Sequence, residues 1–166
     1  MARESEMKTV QRYLFSDPPV DVISLIRELG IEYREQPLGP ENSGRIDRNN
    51  GEFVITVNSE ESPQRRRFTA AHELAHYLLH RDLLKHGHAD RLFGAGARHN
   101  ATEPFTSGHE VQANKYAADI LMPKAAIDRV WQREADNFAE VARKFGVSMK
   151  AMKIRLNNLG LRATAD

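Results

Sequence analysis

The sequence predicts an α+β fold: a short antiparallel sheet, a central helix with paired histidines, and a helix-turn-helix-like C-terminal segment. Three observations lead there. Glu52 to Val57 is a run of β-branched and aromatic residues that follows a strong hairpin signal at Asn49-Asn50-Gly51. Phe68 to His80 places leucines and histidines at helical spacing. Residues 138–161 read as a helix, a tight turn at Gly146, and a second helix capped by Ser148.

Composition bounds the rest. The 166 residues suit one domain with at most a small appendage, divided here as an N-terminal extension of helical character (1–17), a main domain (18–135) and the helix-turn-helix-like segment (136–166). Hydrophobic content of 40% and charged content of 28% are ordinary for a globular protein with a real core. A formal charge of +1 gives no global drive toward nucleic acid or an anionic membrane. With no cysteine, any metal must be held by histidine and carboxylate. The first eight residues lack the apolar core of a signal peptide, and no run approaches membrane-spanning length. A cytoplasmic protein without a membrane partner is expected.

The elements follow in order. Residues 4–15 suit a helix with Met7, Val10 and Leu14 on one side. A second helix starts from Asp17-Pro18-Pro19, carries Val22, Ile23, Ile26 and Leu29 as its apolar stripe, and ends at Gly30. Ile31 to Gln36 suits a strand, Pro37 to Ser43 a loop, and Gly44 to Asp47 a second strand. Phe53 to Val57 is the candidate strand for offering its edge to an extended peptide. Ser62 and Pro63 then form the N-cap and first position of the central helix.

That helix contains His72-Glu73-Leu74-Ala75-His76. Residues four apart on a helix differ by only about 40° in azimuth and about 6 Å in height. His72 and His76 therefore project side by side and can share one zinc ion. Glu73 falls beside that face, where a carboxylate can take a proton from an attacking water.

A third ligand decides the chemistry. His80 continues the series, but ligands eight residues apart on one straight helix stand about 12 Å apart and cannot converge. Asp82 sits where the extended motif places its last ligand, but the glycine which that pattern needs is Leu79 here. Glu110 is the preferred candidate. It opens a stretch that reads as a helix ended by Pro123, with Ala113 and Ala117 beside it to permit close approach of a neighbouring helix. Asn114, one turn on, is placed to accept the other ring N–H of a ligating histidine, His72 first.

The run Arg67 to His80, followed some thirty residues on by Glu110-x-x-Ala113-Asn114-x-x-Ala117-Ala118-x-x-Leu121-Met122-Pro123, resembles the ImmA/IrrE family of metallopeptidases. Pro18-Pro19-Val20-Asp21 and Val57-Asn58 resemble it too, so the similarity runs from about residue 18 to the C-terminus. The resemblance implies a minimal zincin-like fold with His72, His76 and Glu110 as zinc ligands and Glu73 as catalytic base. It also implies a regulatory role, the cleavage of a partner helix-turn-helix repressor to relieve repression in a stress response or a mobile element.

Two stretches remain. Residues 81–108 form a long polar loop whose His86, His88 or His99, or the following His109, could stabilise an oxyanion or simply face solvent. Residues 138–166 hold six Lys/Arg against two acids, so the second helix of the pair has a DNA-binding reading beside that of packing on the core or gripping a partner protein. The reaction expected is metal-assisted peptide hydrolysis, with zinc preferred and other divalent ions compatible with a His₂Glu set. The competing reading is a catalytically silent zinc-fold regulator that binds a repressor or DNA through its C-terminal helices.

Overall fold

A computed structural model describes residues 1–84, 105–134 and 137–161. Seven α-helices and a three-stranded sheet are present among them. Helix α1 spans Ala2–Leu14 and α2 Val22–Glu28, and the strands are β1 (Glu32–Gln36), β2 (Gly44–Asn49) and β3 (Glu52–Asn58). The histidine helix α3 covers Pro63–His80 and runs into a 3₁₀ turn at Arg81–Leu83. After residue 104 come α4 (Ser107–Leu121), α5 (Lys124–Glu134), α6 (Phe138–Phe145) and α7 (Met149–Asn158).

The α+β class is the one expected, but the sheet is mixed. Asn50 and Gly51 both adopt positive φ, 51° and 83°, the paired left-handed conformation of a type I′ turn, so β2 and β3 form the anticipated antiparallel hairpin. Strand β1 instead runs parallel to β3, in the order β1-β3-β2. The Pro37–Ser43 loop carries the chain past one strand's width, and the hairpin then folds β3 into the gap. Phe53–Val57 is therefore the middle of the sheet, paired on both sides, and has no edge to offer a peptide; β1 and β2 are the edges.

That loop is held by one buried side chain. Asn58 Nδ2 donates to the carbonyls of Gly39 and Asn42, each at 2.8 Å, while its Oδ1 accepts from the backbone N–H of Glu60 at 3.0 Å and of Leu38 at 3.4 Å. An amide is the side chain that can make all four bonds, which is why a polar residue is tolerated there.

Helix α3 starts as its sequence requires, with Ser62 Oγ accepting from Arg65 N and Pro63 at the first turn. Helix α2 begins later than anticipated, because Asp21 rather than Asp17 caps it, accepting from both the backbone N–H and the hydroxyl of Ser24. Helix α3 packs on β2, β3, α2 and α4, and Thr69 to Tyr77 are buried without a break. At Gly44 it approaches so closely that an added Cβ would lie 2.5 Å from Thr69 Cγ2 and 2.7 Å from the Thr56 carbonyl.

One apolar core joins all the layers, from Val10 on α1 through Leu25, Ile55 and Leu74 to Phe145 and Leu156 of the C-terminal pair. Arg67 stitches it together. Its guanidinium donates to the carbonyls of Val20, Phe145 and Gly146 at 2.9–3.3 Å. Burial lowers its pKa from the usual value, with Asp21 opposing. The α6–α7 turn is closed by Gly146 at φ +64°, and Ser148 caps α7, as the sequence indicates. No helix among the described residues is long and apolar enough to cross a membrane.

Candidate metal centre

Helices α3 and α4 build the centre from opposite sides. Helix α4 begins at Ser107, three residues before Glu110, because Thr106 and His109 form a reciprocal cap: Thr106 Oγ1 accepts from His109 N, and His109 Nδ1 accepts from Thr106 N. The alanines Ala113 and Ala117 are fully buried, and this smallness lets α4 lie close along α3. Glu110 is thereby brought against both histidines.

His72 and His76 are fully buried, and the Glu110 side chain is 16% exposed. His72 Nε2 lies 2.9 Å from Glu110 Oε2, His76 Nε2 lies 3.3 Å from Glu110 Oε1, and the two Nε2 atoms are 3.1 Å apart. Among the described residues these three form a group whose ligand atoms all lie within 4.8 Å of one another. Donors held about 2.0–2.1 Å from a tetrahedral ion are themselves about 3.3 Å apart, so the spacing suits one small divalent cation.

The hydrogen bonds agree with that fit. Asn114 Oδ1 can only accept, so the N–H it receives at 2.8 Å belongs to His72 Nδ1. In the neutral tautomer that this bond selects, the lone pair is on Nε2, the atom 2.9 Å from Glu110 Oε2. That tautomer turns a lone pair toward the carboxylate, and two acceptors converging on one point suit a divalent cation. Two imidazoles and a carboxylate, with no thiolate, form a donor set for a first-row divalent ion.

The other sequence candidates are distributed as follows. Glu73 is fully buried beside His72 on α3. His80 is not one of the three grouped residues; its Nδ1 lies 3.1 Å from His76 Nδ1. Asp82 is exposed and pairs with Arg3 at 2.9 Å, outside the centre. His109 has its Nδ1 engaged in the α4 cap, with its ring 4.6 Å from that of His80. His86, His88 and His99 lie outside the described residues.

Sequence reasoning passed over Phe105 and Gln112. Phe105 is buried and stacks on His76, with ring centroids 4.0 Å apart at 17°. The only signal for it was a large apolar residue directly before a helix cap. Gln112 Oε1 lies 2.7 Å from His80 Nε2.

Beside the centre runs a groove of about 1030 Å³, lined among others by Phe68, Asn114, Lys115, Met122, Lys150 and Ile154. Helix α7 thus forms one wall of it. Two of the C-terminal cations have partners within the protein: Arg155 donates to the Met122 carbonyl at 3.0 Å and pairs with Asp119 at 2.7 Å, and Arg143 pairs with Glu140.

A family model described as Peptidase M78, IrrE N-terminal-like domain, matches residues 26–157. Two curated proteins, each described as radiation response metalloprotease IrrE, are similar. The one from Deinococcus deserti is 35% identical over 137 residues, 79% of this chain and 44% of its own length. The one from Deinococcus radiodurans is 32% identical over 142 residues, 82% of this chain and 40% of its own. The chain spans less than half the length of these relatives. A solved structure described as a Mycobacterium tuberculosis transcriptional regulator is similar in fold, with a TM-score of 0.62 at 17% identity, covering 94% of this chain and 46% of that one.

Proposed function

The chain belongs to the Peptidase M78 metalloprotease family through its IrrE N-terminal-like domain, and from that premise we propose that it is a zinc-dependent endopeptidase cleaving a cognate helix-turn-helix repressor. The convergence of His72 Nε2 and His76 Nε2 from α3 with the Glu110 carboxylate from α4 carries the reading. These three residues hold the ion, and Asn114 orients His72.

Zinc, when bound, supplies a Lewis acid that polarises the scissile carbonyl and makes water acidic enough to attack near neutral pH. Glu73 takes the proton of the attacking water and later delivers it to the leaving amine. Its complete burial beside His72 keeps that proton from being lost to bulk solvent. The substrate lies along the groove between Phe68, Asn114 and α7.

In this reading, the segment at 136–166 grips the protein substrate rather than DNA. Support comes from α7 walling the groove and from Arg155 being directed inward, away from any phosphate backbone. Residues 18–135 carry the chemistry, and residues 1–17 brace α3, where Glu6 of α1 pairs with Arg81 and accepts from the Tyr77 hydroxyl.

The test is incubation with the helix-turn-helix protein encoded next to this one. Fragments should appear with zinc, disappear with a chelator, and be absent for Glu73→Gln although that variant still binds zinc. Cleavage by Glu73→Gln at the wild-type rate would overturn the mechanism. A stable uncleaved complex, or a DNA shift with steep salt dependence, would favour the silent regulator instead.

A further inference from the structure

We propose that His80 and Gln112 are a positioning pair that sets the tautomer and orientation of His76, leaving its Nε2 bare toward His72 and Glu110; the inference rests on the metal-binding reading above.

The chain of donors can be followed atom by atom. Gln112 Oε1 accepts only, so the proton between it and His80 Nε2, at 2.7 Å, sits on the imidazole. In its uncharged form, the one the experiment below selects by pH, His80 protonated on Nε2 has a lone pair on Nδ1. That lone pair faces His76 Nδ1 at 3.1 Å and must receive a proton from it. His76 is then the Nδ1–H tautomer, with its lone pair on Nε2, the atom 3.3 Å from Glu110 Oε1.

The result mirrors His72, whose Nδ1–H is taken by Asn114 directly. Helix α4 thus presents two side-chain amides, one acting on the first histidine at first hand and one acting on the second through an added imidazole. Both deliver the same polarity. All three inward atoms become acceptors, and the arrangement is selective for a cation before any cation arrives.

Ring packing fixes the geometry of this relay. Phe105 lies flat on the His76 imidazole at 4.0 Å, and His109 lies against His80 at 4.6 Å. The third histidine of the His72, His76, His80 ladder thereby has a use other than ligation. It is one turn too far along α3 to reach the ion, and at the right distance to hold the residue that does.

The experiment uses the full chain with ¹⁵N-labelled histidine. Two-bond ¹⁵N–¹H spectra of the metal-free protein, above the imidazole titration range, read each ring's tautomer, and zinc affinity is measured by competition with a chromogenic chelator. Wild type should show His76 protonated on Nδ1 and His80 on Nε2. Gln112 is exposed, so Gln112→Leu leaves the core intact. It should mix both tautomers and weaken zinc binding by about 10–100-fold. Gln112→Glu, which keeps an acceptor, should restore both readouts. His76 found protonated on Nε2 in wild type, or Gln112→Leu matching wild type in tautomer and affinity, would overturn the pair. Failure of wild type to bind zinc would instead overturn the metal reading, while the spectra still judge the relay.

Discussion

The two faces of α3 handle buried polarity in opposite ways. Toward the sheet and the chain termini, Arg67 and Asn58 meet their complements. Arg67 donates to three carbonyls, and Asn58 gives two hydrogen bonds and accepts two. Toward α4, ligand atoms of His72, His76 and Glu110 are gathered within 4.8 Å of one another. Those two residues are satisfied by the polypeptide itself, whereas the cluster toward α4 suits a guest cation. A buried cluster that looks unfavourable as protein is often favourable as a receptor, because the cost of gathering like groups is offset when a cation enters.

The largest effect should come from supplying that guest. Zinc at about 1,000 times its dissociation constant should add about 4 kcal/mol to folding stability, read from denaturant titrations with and without a chelator. Glu110→Gln should abolish this gain while leaving the metal-free protein close to wild type in stability, since the amide keeps the size and an acceptor oxygen. A large loss of metal-free stability in Glu110→Gln would break the contrast between the faces.

On the sheet side the opposite pattern is expected. Arg67→Met leaves the carbonyls of Val20, Phe145 and Gly146 without their donor, and should cost about 3 kcal/mol or more whether or not zinc is present. Gly44→Ala forces a methyl into Thr69 and the Thr56 carbonyl, and should cost about 1–3 kcal/mol in chemical denaturation. If either loss disappeared on adding zinc, the two faces would not be independent.

The smallest effect belongs to the cap of α2. Asp21 has its pKa lowered by the Ser24 hydroxyl and backbone N–H that it accepts from. Its contribution is therefore present above the unfolded value near pH 4 and is lost as pH falls through the lower folded value. Asp21→Ala should cost about 1 kcal/mol at pH 7, and the gap to wild type should narrow in acid. A gap that stayed constant down to pH 2 would assign the effect to helix propensity instead of the charged cap.

What could be read from the chain follows the range over which each signal acts. Asn50-Gly51 specified the hairpin and Ser62-Pro63 the start of α3, because caps and turns are decided within four residues. Helical periodicity put His72 and His76 on one face, whereas joining Glu110 to them rested on the small residues beside it and on the resemblance carried by the two motifs. The side of the sheet on which β1 docks was not legible, since nothing in Pro37–Ser43 encodes a direction across strands. The start of α4 was set three residues too late because Gly108 and His109 look like loop until Thr106 is seen to cap them. Arg155 counted as a surface cation in the sequence and is instead 9% exposed, a burial decided by Asp119 and Met122 more than thirty residues away.

Arg67 has one practical consequence for dissecting the protein. Its three carbonyl partners come from before α2 and from the corner between α6 and α7, so the first turns of the histidine helix are moored to segments far apart along the chain. Cutting the polypeptide ahead of residue 138 to isolate a smaller catalytic fragment would release two of those three moorings at once. A minimal unit defined only by the histidines and Glu110 would accordingly be drawn too short.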